Sequence, residues 1–256
     1  MGRGTRQTDN STKSVARFRL RGGLEELLVR RYRADIASYR FRDNPGIKDA
    51  IETMGIPHTE VDVILANGLS VNFSYPLQDN DIIDVYPVFS DVPVAKPLNL
   101  TPCPPDPVSF VLDVHLGKLA RRMRLLGFDV YYRNDLDDAE IMEIADRESR
   151  IILTRDLGIL KHCKVMHGYL VRSDHVDCQL REVMRRYELF GRAHLWKRCM
   201  VCNGLMVKVE KADVQDRLEP KTRLYYEDFH RCSDCDRLYW KGSHYVKITA
   251  WFQEFL

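Results

Sequence analysis

Four aspartates occupy positions from which an α/β protein could gather them into one site. Asp113 closes the apolar run VSFVLD, and Asp156 ends the run RIILTRD. Asp137 and Asp138 open the segment DDAEIMEIADRES, which we interpret as a helix with acids in its first turn. If both runs are strands of one parallel sheet, their carboxylates reach its carboxyl edge, where ligands bind in such folds.

Carboxylates held close together repel each other unless a cation neutralises them. Hard divalent ions such as Mg²⁺ and Mn²⁺ prefer these oxygen ligands. We therefore predict a magnesium or manganese site at this edge, and the hydroxyl of Thr154 could orient Asp156 within it.

Each acid also has a purely structural explanation. Asp113 could cap the following helix, Asp137 and Glu140 have the spacing of a capping box, and Asp156 could satisfy a turn. Capping accounts for any one of these acids, but it does not explain why two acids close two separate strands of one sheet. The set as a whole therefore favours a shared site.

Two C-x₂-C pairs, CMVC and CSDC, are separated by 29 residues. Each pair presents two thiolates, and two pairs complete a tetrahedral Zn²⁺ site. The alternative is a redox pair without metal, which the doubled motif disfavours. Four thiolates leave no open coordination position, so we predict a structural zinc ion. Its ligands are Cys199, Cys202, Cys232 and Cys235.

Strand-like and helix-like segments alternate around the aspartates, which predicts a parallel α/β sheet with flanking helices. The predicted strands are 108–113, 129–133, 150–154 and 168–172, and the predicted helices are 116–127, 137–149 and 178–189. The first helix is amphipathic. Its apolar face contains Leu116, Leu119, Ala120, Met123 and Leu126, and its other side carries Lys118, Arg121, Arg122 and Arg124.

Two sets of residues are candidates for RNA contact. Lys118, Arg121 and Arg122 could hold phosphates one turn past Asp113, with salt-dependent affinity, unless they form an ordinary solvated helix face. The segment YWKGSHY mixes aromatic and basic groups that could stack on bases. Its candidates are Trp240, Lys241 and His244, and the alternative is that the aromatic groups only support a small core.

The amino-terminal part is a separate unit in this interpretation. Residues 1–14 are a polar tail, and residues 15–92 combine strands, a short helix and an Asn67-Gly68 hairpin turn in an α+β, ubiquitin-like β-grasp pattern. Asn44 is the predicted cap of that helix. Residues 93–107 contain six prolines, which predicts a stiff extended linker.

Bulk properties restrict the class of protein further. The chain has 256 residues, 45% of them apolar, and a formal net charge of +2, so overall basicity does not indicate nucleic-acid binding. No apolar run approaches the roughly 18 residues of a membrane span, and the polar start lacks the centre of a signal peptide. The odd count of seven cysteines argues against a disulfide framework. We predict a cytoplasmic protein with no membrane partner.

Several motifs together resemble a known family. FVLDVHLGKLARRMRLLGFD, DDAEIMEIA, RIILTRD and YLVRSD look like the PIN-like ribonuclease domain of the Mut-seven-C family. The resemblance implies a PIN-like fold over 108–196 and a metal-dependent nuclease. Asp113, Asp138 and Asp156 match the family's acids, and Asp137 could substitute for its neighbour.

The chain departs from that pattern at one point. Many PIN domains carry another carboxylate on a helix between the first and later acids, whereas residues 114–128 contain none. One ion rather than two therefore remains an alternative. Asp174 could supply an extra ligand, although we expect it to cap the next helix.

The flanking regions resemble domains found beside this ribonuclease. RCMVCNG with RCSDCDRLYWKGSHY is similar to its zinc ribbon, here 197–256, and the segment before the linker is similar to a sulfur-carrier-type β-grasp domain. A sulfur carrier needs a free terminal Gly-Gly, and here the domain runs on into the linker. We expect it to bind RNA or a protein partner, or to cover the nuclease.

Three hypotheses follow from the sequence. The first is a cytoplasmic ribonuclease that uses Mg²⁺ or Mn²⁺, contains structural Zn²⁺ and acts on RNA, with tRNA or another structured RNA among the candidates. The second is a non-catalytic RNA- or ribosome-binding adaptor that keeps the PIN-like fold. The third is a protein-interaction module built around the β-grasp domain.

Overall fold

The computed structural model describes residues 14–255, apart from the side chains of Ser243 and His244. The predicted polar tail therefore lies outside the described residues, except for Ser14, which begins the first strand. Across residues 14–255, no helix combines the length and the apolar character that a bilayer crossing requires.

The described residues form two compact units. The first contains residues up to Cys103 and the segment Leu160–His167, and the second contains Pro104–Ile159 and the residues from Gly168 onward. Each unit has its own hydrophobic core.

The first unit is a five-stranded mixed sheet with one helix. The strand order is β2-β1-β5-β3-β4, with β1 and β5 parallel and the other pairs antiparallel. Fully buried residues of strand β1 and helix α1, such as Phe18, Ile51 and Met54, belong to one core cluster. The elements are β1 Ser14–Leu20, β2 Ala37–Phe41, α1 Ile47–Met54, β3 Val63–Ala66, β4 Leu69–Val71 and β5 Ile82–Tyr86.

Of the predicted hairpin turn and the predicted helix cap in this unit, the structure contains only the turn. Asn67 and Gly68 both adopt left-handed backbone angles between β3 and β4, as the predicted hairpin turn requires. The predicted cap of α1 by Asn44 is wrong, because the helix begins after Gly46 without a side-chain cap. The amide of Ile47 instead donates to the carbonyl of Tyr75 at 2.9 Å, so a neighbouring loop takes the role of the cap.

Much of the predicted linker packs against the first unit rather than extending freely. Val92 and Val94 pack on a small buried cluster of the sheet. The side chain of Asn99 donates to the carboxylate of Asp62 at 2.6 Å, and the amide of Leu100 donates to the Asp62 carbonyl at 2.7 Å. The proline-rich segment after Val92, here called the strap, is therefore attached at fixed points. Its path is determined by contacts with residues distant in sequence.

The segment Leu160–His167 is also part of the first unit. Val165 is buried, and its carbonyl accepts from Nε2 of His58 at 2.9 Å. The ammonium of Lys161 donates to the carbonyl of Glu52 at 2.9 Å. These attachments were not predicted, because they join positions more than 100 residues apart.

The second unit is built on a four-stranded parallel sheet with flanking helices, as predicted. The strand order is β7-β6-β8-β9, which makes β6 and β8 the central strands. Its elements are β6 Ser109–Leu112, α2 Gly117–Leu125, β7 Asp129–Tyr131, α3 Asp138–Glu148, β8 Ile151–Thr154, α4 Leu157–Leu160, β9 Gly168–Leu170 and α5 Val176–Arg186.

Helix α2 buries the predicted apolar face but also an unpredicted cation. Leu119, Ala120 and Met123 are fully buried, as the periodicity indicates. Arg124 is only 4% exposed, so its predicted position on the solvent side is wrong. It lies four residues after Ala120 and therefore on the same side of the helix, and its donors reach backbone carbonyls there.

The last part of the chain contains a three-stranded antiparallel sheet and two helices. Pro220 opens a helix that runs through Tyr225, and the strand that follows it starts at Phe229. The residues after Gly242 form a helix, and Phe255 near its end is buried in the second core. The elements are β10 Met206–Val209, α6 Pro220–Tyr225, β11 Phe229–Cys232, β12 Leu238–Trp240 and α7 Ser243–Phe255.

Gly127 fixes the turn from α2 into β7. Its φ is 87°, and a Cβ there would lie 2.3 Å from the carbonyl oxygen of His194. We expect Gly127→Ala to lower the free energy of unfolding by about 1–3 kcal/mol, because a left-handed non-glycine residue is strained and the backbone oxygen cannot move aside.

Urea unfolding followed by tryptophan fluorescence measures this change, since Trp196, Trp240 and Trp251 all belong to the second unit. Gly191→Ala is the matched control, because a Cβ at Gly191 meets open space. Equal stability of the two variants would show that the turn tolerates a side chain.

Candidate active site and metal centre

Asp113 is a buried carboxylate at the end of the central strand β6. It is 4% exposed and accepts three hydrogen bonds. Its Oδ1 accepts from the amide of His115 at 2.8 Å, which caps the short 3₁₀ turn before α2. Its Oδ2 accepts from the amide of Arg155 at 2.8 Å and from the hydroxyl of Thr154. The carboxylate therefore caps a turn and also joins two strands.

The hydroxyl of Thr154 connects Asp113 to the backbone of Asp156. Its side chain is fully buried, and Oγ1 accepts from the amide of Asp156 at 2.8 Å while donating to Asp113. The Asp156 carboxylate is exposed, and its Oδ1 accepts from the amide of Gly158 at 2.6 Å. The hydroxyl of Thr154 therefore holds the backbone of Asp156, and the carboxylate of Asp156 also serves a local turn.

The side chains of Asp137 and Asp138 differ in their hydrogen bonding. Asp137 accepts from the amide of Glu140 at 2.8 Å, and the Glu140 side chain accepts from the Asp137 amide, which completes the capping box. Among the residues that the structure describes, none donates a hydrogen bond to the Asp138 side chain. Burial raises the pKa of Asp138, and the charges of Asp156, Asp137 and Asp113 raise it further.

The charges of Asp156 and Asp113 thus oppose ionisation of Asp138, and a bound cation would relieve this repulsion. The oxygen donors suit a hard divalent ion in kind. Their convergence is looser than that of the cysteines, which are the one group of three or more His, Cys, Asp or Glu ligand atoms within 4.8 Å of one another in residues 14–255. The role of the aspartates as metal ligands stays a prediction.

Asp174 does not have its predicted capping role. Helix α5 begins after His175 without a side-chain cap, and Asp174 instead accepts from Nη2 of Arg155 at 2.7 Å. Arg155 therefore contributes to this edge of the sheet. Its amide binds Asp113 and its guanidinium reaches the β9–α5 loop, where the carbonyl of Ser173 accepts at 3.3 Å.

A cleft of about 1070 Å³ opens beside Asp113, at Val114 and His115. Lys118 and Arg121 line it, as does the unpredicted His175. Four cations line this space, namely Lys118, Arg121, Arg133 and Arg155, and two of them are paired with carboxylates of the same lining, Arg133 with Asp135 and Arg155 with Asp174. Cations arranged in this way can bind a phosphate backbone.

The other predicted RNA contacts lie elsewhere. Arg122 is outside the cleft lining, pairs with Asp177 at 3.5 Å and packs over the ring of Trp251 at 4.3 Å. Trp240 is 37% exposed, and Lys241 pairs with Asp228 at 3.1 Å. The side chain of His244 lies outside the described residues.

The four cysteines of the paired motifs converge as predicted. The Sγ atoms of Cys199 and Cys235 are 3.7 Å apart, and those of Cys202 and Cys232 are 3.3 Å apart. Tetrahedral zinc with Zn–S bonds of about 2.3 Å needs sulfur atoms roughly 3.8 Å apart. The donor set and its dimensions therefore fit one metal ion.

The thiols of this cluster differ in acidity. Burial alone would raise the pKa of Cys199, but hydrogen bonds from the Tyr239 hydroxyl, at 3.0 Å from Sγ, and from nearby amides lower it to about 7. Burial raises the pKa of Cys202 to about 12, and neighbouring thiols contribute to that rise. Without a cation, only part of the cluster ionises at neutral pH.

Sequence reasoning missed several residues around these two sites. Tyr239, beside Cys199, was grouped with the aromatic groups of the ribbon, and Arg133 had no motif that marked it. Arg124 had a usable signal, since the spacing from Ala120 places it beside the apolar stripe. Tyr239 also had a signal in the sequence. It precedes Trp240 in a strand after the second cysteine pair, and neighbouring strand residues point to opposite faces, so one of the two could face the cysteines.

The fold and these two clusters define an α/β protein with acids at the edge of a parallel sheet, four cysteines positioned to bind a metal ion and a mixed-sheet unit. The profile of the Mut7-C RNAse domain family matches residues 108–252, more than half of the chain, and that of the Mut7-C ubiquitin family matches residues 13–92. The chain belongs to the Mut7-C RNAse domain family, and the predicted resemblance is confirmed. No curated protein and no solved structure gives a significant match.

The hydroxyl of Thr154 should stabilise the end of the sheet. We expect Thr154→Val to lower the free energy of unfolding by about 1–3 kcal/mol, because the buried carboxylate of Asp113 loses one of its three donors and the amide of Asp156 loses its acceptor. Thr154→Ser keeps the hydroxyl and is the matched control. Urea unfolding without added metal measures the difference, and equal losses for Val and Ser would show that only packing matters.

The raised pKa of Asp138 can be measured by carboxyl NMR titration in the presence of EDTA. We expect Asp156→Asn to bring this pKa closer to the ordinary value of an aspartate, because it removes the largest of the neighbouring charges that raise it. Asp146→Asn, an exposed acid on the same helix, is the control and should leave it in place. Identical titration of Asp138 in the wild type and Asp156→Asn would mean that the two carboxylates do not interact.

The sign of the linked stability change follows from the raised pKa. The repulsion is absent below the ordinary pKa of aspartate and is fully present above the raised pKa, so it lowers the stability of the metal-free protein as the pH rises between them.

Proposed function

We propose that this protein is a divalent-metal-dependent ribonuclease with a PIN-like α/β fold. In this proposal Asp113, Asp138 and Asp156 hold Mg²⁺ or Mn²⁺, and the RNA backbone binds in the cleft lined by Val114 and His115, which directly follow Asp113 in the chain. The observation that carries it is the link from Asp113 through Thr154 to Asp156 across the central strands, together with the electrostatic influence of both acids on Asp138. The family to which the chain belongs supports the nuclease assignment.

The chain's own groups would bind and orient the substrate. A divalent cation, when bound, makes water easier to deprotonate and neutralises charge on phosphate oxygens. Three donors fix Asp113 in one orientation before substrate arrives, and the more exposed Asp138 and Asp156 face solvent. Lys118 and Arg121 would hold phosphates along the cleft.

The cysteine cluster would hold structural Zn²⁺. Four sulfur donors leave no open coordination position, so this ion would not take part in hydrolysis. The ubiquitin-like unit would be a protein-interaction module, and we propose a cytoplasmic location for the whole chain.

A second candidate function is a non-catalytic RNA-binding adaptor. It is favoured by the absence of any acid in residues 114–128 and by the looser convergence of the aspartates compared with the cysteines. In that case the cleft would bind RNA without turnover.

RNA cleavage in Mg²⁺ or Mn²⁺ tests the first proposal. We expect Asp113→Asn, Asp138→Asn and Asp156→Asn each to lower the cleavage rate by at least roughly 100-fold, because loss of outer-shell partners alone costs 10- to 100-fold. Asp146→Asn on the same helix as Asp138 should cleave like the wild type. Equal cleavage by all four variants would contradict the assignment of the acids.

RNA binding separates the two candidate functions. The nuclease proposal expects Asp113→Asn to bind RNA with salt-dependent affinity while cleaving none. Arg121→Gln should reduce the slope of log affinity against log salt by about 1 if Arg121 contacts one phosphate. Wild-type binding without turnover and without any effect of EDTA would favour the adaptor.

A further inference from the structure

Arg124 is a buried cation whose hydrogen bonds all go to neutral groups. Its Nε and Nη2 donate to the carbonyl of Val130 at 3.0 and 2.9 Å, and its Nη1 donates to the carbonyl of Val201 at 2.7 Å. These bonds satisfy its donors but do not cancel its charge. A buried charge without a counter-charge is strongly destabilising, so a negative group must lie nearby.

The paired cysteines are the nearest source of a counter-charge. Throughout the described part of the chain, no carboxylate forms an ion pair with Arg124, and its Nη1 lies 2.7 Å from the carbonyl of Val201, which stands between Cys199 and Cys202. Four thiolates around one divalent ion carry a net charge of −2. Arg124 is therefore suited to neutralise a metal-loaded cluster.

Asp129 is less available as the counter-charge, because it already has three other partners. Arg150 donates to it at 2.7 Å, Arg198 at 2.8 Å and the side chain of Asn203 at 2.9 Å. Two full cations therefore share this one carboxylate, and little of its charge remains for Arg124.

The same contacts close the open edge of the parallel sheet. Strand β7 is an edge strand, and an unpaired edge leaves backbone groups exposed. The amide of Val130 donates to the side chain of Asn203 at 3.0 Å, while the Val130 carbonyl accepts from Arg124. Asn203 follows the metal ligand Cys202 directly and has a left-handed backbone, so the turn after the first cysteine pair sets its position.

This edge also borders the cleft of the proposed active site. Val201, between the first two cysteines, lines the cleft, and so do Tyr132 and Arg133, which directly follow β7. The cysteine turn, Arg124 and one wall of the cleft thus form a continuous set of contacts.

We propose that the metal-loaded cysteine cluster is the counter-charge of Arg124, and that Arg124 and Asn203 together let the metal fix strand β7 and the adjoining wall of the cleft. Arg124 is a positioning residue in this scheme. The metal centre then controls the order of the RNA-binding cleft in addition to holding the ribbon together. The inference depends on metal binding by the cysteines and does not depend on catalysis.

The metal affinity of Arg124 variants tests whether the metal-loaded cysteine cluster is the counter-charge of Arg124. Co²⁺ titration, followed by the sulfur-to-cobalt absorption bands, gives the affinity, and Zn²⁺ competition extends it. We expect Arg124→Gln to bind metal 10- to 100-fold more weakly, as outer-shell substitutions do. Arg124→Lys keeps the charge with fewer hydrogen bonds and should lose less, and Arg121→Gln on the same helix should bind like the wild type.

Two outcomes of that titration would overturn the proposal. Unchanged affinity in Arg124→Gln would show that Arg124 does not sense the metal. Equal losses in the Lys and Gln variants would show that the charge of Arg124 is irrelevant to metal binding.

Hydrogen exchange of the wild-type protein tests whether the metal fixes strand β7, and it needs no variant. We expect removal of the metal by a chelator to lower the protection of amides in Asp129–Tyr131 at least tenfold, since Val130 loses its fixed partner. Gly168–Leu170, on the opposite edge of the same sheet, is the internal control and should keep its protection. Loss at both edges, or at neither, would overturn the proposal, and neither experiment uses RNA.

Discussion

A buried carboxylate needs hydrogen-bond donors, and the donors that satisfy Asp113 organise the carboxyl edge of the parallel sheet. Leaving such a group without partners would cost several kcal/mol. The three donors come from the turn after β6 and from the end of β8, so satisfying Asp113 fixes both chain segments at once. The parallel pairing of Leu112 with Leu153 puts these segments side by side.

The cysteine cluster and the buried Arg124 each need a group of opposite charge nearby. Thiolates that converge need a cation, and a guanidinium buried among carbonyls needs an anion. In the proposed scheme a metal ion is the cation of the thiolates, and the loaded cluster is the anion of Arg124, whose hydrogen bond to the Val201 carbonyl holds it beside the cysteine turn. Of the aspartates at the sheet edge, Asp138 and Asp156 are exposed, so water can screen part of their repulsion without a fixed counter-ion.

How much could be predicted from the sequence depended on whether the deciding interactions were local. The parallel strands, the Asn67-Gly68 turn and the cysteine pairs were predictable, because periodicity, turn chemistry and ligand spacing lie within short segments. Asp174 was assigned to a cap because its local surroundings fit one, and a cation 19 residues away took it instead. The strap after Val92 and the burial of Arg124 were missed for the same reason, since contacts distant in sequence create both.

An acid can cap a helix or turn and still belong to a metal site. The hydrogen bonds that each acid makes locally help to decide between Asp137 and Asp138 as a metal ligand. Asp137 completes a capping box, so moving it toward a metal would weaken the start of α3. Asp138, one residue later, has no hydrogen-bond partner in the described chain, and neighbouring carboxylates raise its pKa. A side chain without local bonds that feels repulsion from Asp156 and Asp113 gains most from a bound cation. This difference favours Asp138 over Asp137 as the third ligand of the proposed metal site, a choice that local sequence alone leaves open because both acids begin the same helix.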